Sequence, residues 1–150
     1  MINLRTLAVA ACEEQQDQEA REEAERQTRR REAHIEHVRT QAQEILQLPE
    51  APVVHWCGIA CAEGAHPDFR TPVVEIDGLH FTCDESETSL RLITFQDRKG
   101  SYGYGWKHFR SLPELGRLLL SLDKMPLVQG HLVGSTLYPV GLGGEQGGIS

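Results

Sequence analysis

Nowhere in these 150 residues is there an apolar run of the roughly 18 positions that a membrane-spanning helix needs. Lysine is scarce, standing only at 99, 107 and 124, so the 15 basic residues are mostly arginine. Against 22 acidic residues they leave a formal net charge of −7. That balance argues against nucleic-acid binding through the whole surface, because counterion release needs concentrated Lys and Arg, although it leaves room for a local basic patch. Proline and glycine are absent between Glu13 and Leu48, which excludes the turns that a series of short elements would need. Catalytic signatures are missing as well. There is no Ser–His–Asp arrangement, phosphate loop or metalloprotease helix motif, and no Cys-x-x-Cys redox pair.

What fills the proline-free stretch is Glu, Gln, Arg and Ala, strong helix formers that predict one long helix ending where Leu48 meets Pro49. Residues 2–11 are rich in Ala and Leu and read as its first turns, with a strand as the alternative. Ile35, Val38, Ala42 and Ile45 step by three and four and line one apolar stripe, as in a helix packed on a core or a coiled-coil seam. Upstream the same register meets Arg21, Ala24, Thr28 and Arg31, a poor seam, so only about the last three turns have a face worth burying. The rest is either a solvated helix held by pairs such as Glu22–Arg26 and Glu25–Arg29, or an arm for a partner helix from a second copy or another protein. Arg29, Arg30 and Arg31 form the most basic patch, diluted by Glu25 and Glu32.

Four cysteines stand at 12, 57, 61 and 83, and nothing else speaks for secretion, so a reduced, cytoplasmic setting is expected. The run Leu7 to Cys12 resembles the processing site of bacterial lipoprotein signals, but its apolar part is too short for one. Cys57 and Cys61, with His80 and Cys83, make two close pairs of the kind that hold tetrahedral zinc, with His66 as a rival ligand. Three residues rather than two separate the cysteines of the first pair. On a strand, His80 and Cys83 point to opposite faces. Zinc is therefore a candidate beside two plainer readings, a Cys57–Cys61 disulfide and ordinary buried thiols.

The sharpest local signal is Asp77-Gly78 between Ile76 and Leu79, a two-residue hairpin turn. It sets Ile76 against Leu79 and Val74 against Phe81 on one side, with Cys83 following, and pairs Glu75 with His80 on the other, sending His80 outward. A second hairpin turns at Lys99-Gly100, facing Phe95 with Tyr104, Ile93 with Trp106, and Arg91 with His108. Its Tyr102, Tyr104 and Trp106 cover a core or, beside Lys107 and Arg110, offer a docking surface for a protein or stacking platforms for bases. The acidic residues at 84, 85 and 87 read as solvated turns. Ser111-Leu112-Pro113-Glu114 is a capping box opening a helix with Leu112, Leu115, Leu118, Leu119 and Leu122 on one face and Leu120 apart from it. Residues 127–138 add a strand or a tethered strip. The glycine-rich end, 139–150, reads as a flexible tail.

These signals predict an α+β protein: a helical arm over 1–48, then a compact domain over 49–138 with two hairpins forming a small antiparallel sheet under a C-terminal helix. The expected function is a non-enzymatic, regulatory protein-binding module that uses its sheet surface and long helix, with self-association through the helix. The alternatives are a metal-stabilised nucleic-acid-associated module and a small enzyme using His80, Cys83 and nearby acids.

Overall fold

The computed structural model describes residues 1–61, 64–65, 70–98, 101–122, 127–128 and 130–139; at 60–61, 64–65, 96–98, 101–104, 122, 127–128, 131 and 139 it describes the backbone alone. The chain opens with helix α1 (Leu4–Ile45) and continues through β1 (Val54–Cys61), β2 (Gly64–Ala65), β3 (Thr71–Ile76), β4 (Leu79–Thr82), β5 (Leu90–Arg98) and β6 (Ser101–Phe109). Helix α2 (Leu112–Leu122) follows, then β7 (Leu127–Val128), β8 (Gly130–Val133) and β9 (Thr136–Pro139). No described helix is long and apolar enough to cross a membrane. The class is α+β, as the sequence predicts, but the sheet is larger than two hairpins. Its strands run β6-β5-β4-β3-β1-β9-β8, with β2 beside β1 and β7 beside β5.

Two compact units divide the chain, Met1–Ala33 and His34–Ser150. Helix α1 runs across the junction between them. Everything from Met1 to Ala33 is exposed. In this first unit the helix is capped by Asn3, whose side-chain Oδ1 accepts the Thr6 N–H at 3.1 Å.

In the second unit the apolar stripe of α1 is used as its spacing suggests. Val38 and Ala42 are fully buried with Leu46, against Val74, Phe81, Cys83, Leu90, Leu92, Phe109 and Leu115. The helix ends before Pro49 is reached. Gln47 takes a left-handed conformation (φ 55°), and the Leu48 N–H returns to the Gln43 carbonyl at 2.9 Å, the six-to-one bond of a Schellman cap. The N–H of His34 Nε2 donates to the Cys83 carbonyl (2.8 Å) and that of His37 Nε2 to the Glu87 carbonyl (2.6 Å), fastening these turns to the connector after β4.

The Asp77-Gly78 turn has positive φ at both residues (55° and 77°), and the ladder places Val74 opposite Phe81, Glu75 opposite His80 and Ile76 opposite Leu79. From Leu90–Phe109 to Arg98–Ser101, β5 and β6 pair in the expected register. The face carrying Val74 and Phe81 packs on α1 and α2, with Phe81 and Phe109 edge to face at 5.6 Å. On α2, Leu115, Leu118 and Leu119 join this core, while Leu112 and Leu120 are exposed. Ser111 Oγ accepts the Glu114 N–H at 3.3 Å, as in a capping box, while the Glu114 carboxylate reaches one residue further back, accepting the Arg110 N–H at 2.7 Å.

The opposite face is also covered, and so His80 is not turned to solvent. It is 2% exposed, and its Nε2–H donates to Glu75 at 2.9 Å. Cys57, Ile59, Val73, Ile93, Phe95 and Leu137 form a second core there, with Trp106 and Leu132 packed on it. Residues 127–139, whose role the sequence leaves open, supply its cover. Strand β9 runs parallel to β1, β8 pairs β9, and β7 returns to β5 at Phe95 and Gln96, so the ladder folds back on itself. Gly130 sits at that closure. A Cβ there would lie 2.9 Å from both Leu137 Cδ1 and Phe95 Cε2, so only glycine fits without a shift.

Candidate functional site

Of the expected zinc ligands, Cys57 and Cys83 occupy different cores. Cys57 faces Thr71 across β1 and β3, and Thr71 Oγ1 bonds Thr82 Oγ1 at 3.1 Å on the same side of the sheet. Cys83 follows Thr82 and points the other way, into the core with Phe81 and Leu90. A tetrahedral ion cannot bridge the two faces. The side chain of Cys61 and the whole of His66 lie outside the described residues, and among the described residues no group of three His, Cys, Asp or Glu is placed to hold a metal ion. Burial pushes the Cys57 thiol up to about 11, with Arg70 opposing. Cys83 is raised to about 12 by burial and by the charges of Glu87 and Asp84, against Arg91. Both are protonated thiols at neutral pH, unsuited to nucleophilic attack or metal binding without a large change in surroundings.

The most elaborate polar cluster lies where the sequence suggests only solvated turns. Glu87, in the connector between β4 and β5, is a half-buried carboxylate with three hydrogen-bond donors and a histidine beside it. Its Oε1 accepts the Asp84 N–H and Arg91 Nε–H, both at 2.9 Å. Its Oε2 accepts the Ser89 hydroxyl at 3.2 Å and lies 3.1 Å from His108 Nε2. Burial drives this carboxyl up, but the Asp84 N–H, Arg91 and Ser89 outweigh it and hold the group below its ordinary value. Arg91 also pairs with Asp84 and lies over the Trp106 ring, 5.5 Å from its centroid.

Beside this cluster an open cleft of about 560 Å³ is lined by Ser86, Glu87, Thr88, Ser89, His108, Phe109, Arg110 and Glu114. A serine, a histidine and an acid are adjacent here, but in the wrong order for nucleophilic catalysis. Ser89 bonds the carboxylate and His108 lies against its other side, so the carboxylate stands between them, whereas a general base must touch the hydroxyl it activates. The donors around Glu87 hold its carboxyl below the ordinary value, which makes it a weaker base. The cluster ties the connector to β5 and β6, and through the Glu87 carbonyl to His37.

The expected docking residues are dispersed. Tyr102 pairs in the backbone with Asp97 and Tyr104 with Phe95; their side chains lie outside the described residues. Trp106 is half-buried against the second core under Arg91, which makes it a packed residue before it is a platform. Lys107 is half-buried on the other face, and Arg110 is exposed at the cleft. Arg29, Arg30 and Arg31 belong to the first unit and are exposed on the helix. In the sequence Glu87 reads as a solvated turn residue, and its alternation with Ser89 and Arg91 ahead of a strand is the signal of its actual place. The sequence reading passes over Asn3, a residue type typical of helix caps. No protein family, curated protein or solved structure matches the chain.

Proposed function

We propose that this protein is a non-enzymatic interaction module of a regulatory kind, which engages a protein partner chiefly through the helix of its first unit. The observation that carries the reading is the complete exposure of residues 1–33, which are helical from Leu4 onward. Its first turns hold Leu4, Leu7 and Val9 at 72%, 58% and 57% exposure. Helices in folded proteins draw most of their stability from a buried face, and this stretch buries none within its own unit. Such a segment is suited to gaining that burial from a partner. The lowered pKa of Glu87 and the protonated thiols of Cys57 and Cys83 favour a binding role over catalysis. The exposed Arg110 and the cleft beside it supply a second, smaller surface on the sheet side.

Affinity capture with the full chain and with a chain lacking residues 4–31 tests the reading. That deletion spares His34, His37, Val38 and Ala42, so the second unit keeps its contacts. A protein retained by the full chain and lost by the shortened one supports the proposal. Equal recovery of the same proteins by both removes the helix as the binding element.

A further inference from the structure

Helix α2 carries a glycine in its middle that its own unit does not use. Glycine is the least favourable helix residue after proline, so Gly116 costs α2 stability. Two ordinary reasons for keeping one there fail. Its φ is not positive and the helix continues to Leu122, so it is no C-terminal cap. A Cβ at 116 would meet nothing within 4 Å, so no neighbouring group needs the space. Leu115, Leu118 and Leu119 pack on the core, whereas Leu112 and Leu120, one turn to either side of Gly116, are 37% and 70% exposed. These two and Gly116 stand four residues apart and form one row on the helix surface, about 12 Å long. A row that is low in the middle and raised at both ends fits a helix crossing it. The glycine lets the two axes approach, and the leucines pack on either side.

We propose that this face of α2 is a docking site for an acidic helix of another protein, which crosses α2 at Gly116 and sets carboxylates beside Arg117 and Arg110. The charges around the row choose that partner. Pro113 and Arg117 run along one flank, both exposed. Residues 107–121 hold Lys107, Arg110 and Arg117 against the single carboxylate of Glu114, in a chain whose net charge is −7. Glu114 is engaged by the Arg110 N–H at 2.7 Å. Among the described residues neither the Arg110 nor the Arg117 guanidinium is paired with a carboxylate. A second copy of α2 is the wrong occupant: laid antiparallel about Gly116, it would bring the Arg117 of each copy onto the same flank, where the two repel. The site is separate from the helix of the first unit, so the two readings stand or fall separately.

The first test needs no partner. Gly116→Ala is expected to raise the thermal midpoint of the full chain by about 2–4 °C, because the helix gains propensity and nothing is displaced. A lowered midpoint would show that the fold itself needs the glycine, and it overturns the proposal. Binding is then measured with two synthetic peptides of about 18 residues, long enough for partial helicity in water. Both carry leucines four residues to either side of a central alanine; one has glutamates on its flanks and the other lysines. The full chain is expected to bind the glutamate peptide about tenfold more tightly, with the difference shrinking as salt is added. Gly116→Leu fills the crossing and is expected to weaken the glutamate peptide about tenfold. Arg117→Glu is expected to remove the preference, and circular dichroism checks that both variants are folded. Peptides that bind alike or not at all overturn the proposal, as does a Gly116→Leu chain that binds like the parent. Self-association of the full chain that Gly116→Leu abolishes overturns it too, because the occupant is then a second copy.

Discussion

Ala33 and Ala42 belong to one helix and have one side chain, yet Ala33 is exposed and Ala42 is fully buried. Before His34, α1 is held by its Asn3 cap, backbone propensity and exposed ion pairs, each worth a few tenths of a kcal/mol. After it, Val38, Ala42 and Leu46 add burial against the sheet, and His34 and His37 add hydrogen bonds to the connector. A continuous helix can thus change its source of stability within one turn. The same substitution then carries different meanings on either side of the boundary.

The sharpest way to break this comparison is a matched pair. Ala42→Glu should lower the stability of the second unit by about 4 kcal/mol or unfold it, because the carboxylate enters a packed core without a partner. Ala33→Glu should stay within about 0.5 kcal/mol of the parent in urea unfolding followed by Trp fluorescence. Equal effects would show that the boundary is misplaced.

Glu87→Gln comes next, with an expected loss of about 2 kcal/mol, since it leaves the half-buried Arg91 without its main carboxylate. The folded state lowers the pKa of Glu87, so its contribution is fully present above the ordinary value of 4.5 and disappears as pH falls through the lowered one. The difference between parent and Glu87→Gln stability should therefore shrink below pH 4.5. A difference that stays constant down to strongly acid pH would dissociate the loss from the charge.

Gly130→Ala tests whether the second core is as tightly packed as the one under α1. Its Cβ collides with Leu137 and Phe95, and a cost of about 1–3 kcal/mol is expected in thermal unfolding. The smallest effect belongs to Gln47→Gly, which relieves a left-handed residue at the helix end and should add about 0.5–1 kcal/mol in the same assay. A loss there would mean that the Gln47 side chain makes contacts worth more than the backbone strain.

Local chemistry was legible and remote pairing was not. Asp77-Gly78 announces its own turn type, and alternation around it fixes the partners of Val74 and Glu75; Ser111 and Glu114 announce the start of α2 in the same way. The stripe Ile35 to Ile45 shows which turns of α1 have something to bury. By contrast, the parallel pairing of β1 with β9 joins segments far apart in the chain, and no residue in either advertises the other. Two hairpins alone leave the second face of the sheet open, which is why the sequence turns His80 to water and the structure does not. The Schellman cap at Gln47 escaped notice because the position lacks the usual glycine. The surroundings of Glu87 include His108 from another strand, so the candidate site is less readable than the fold.

The pairing of Gly58 and Ile59 with Thr136 and Leu137 also sets an order of events during synthesis. Helix turns and the 77–78 hairpin close within microseconds of leaving the ribosome. The second core, however, waits for Leu137 and the strand that carries it. Until then Ile59, Val73 and Phe95 have no lid, and the nascent chain carries an apolar sheet face open to wrong partners. Chains stopped short of residue 136 should for that reason be the species most dependent on chaperones.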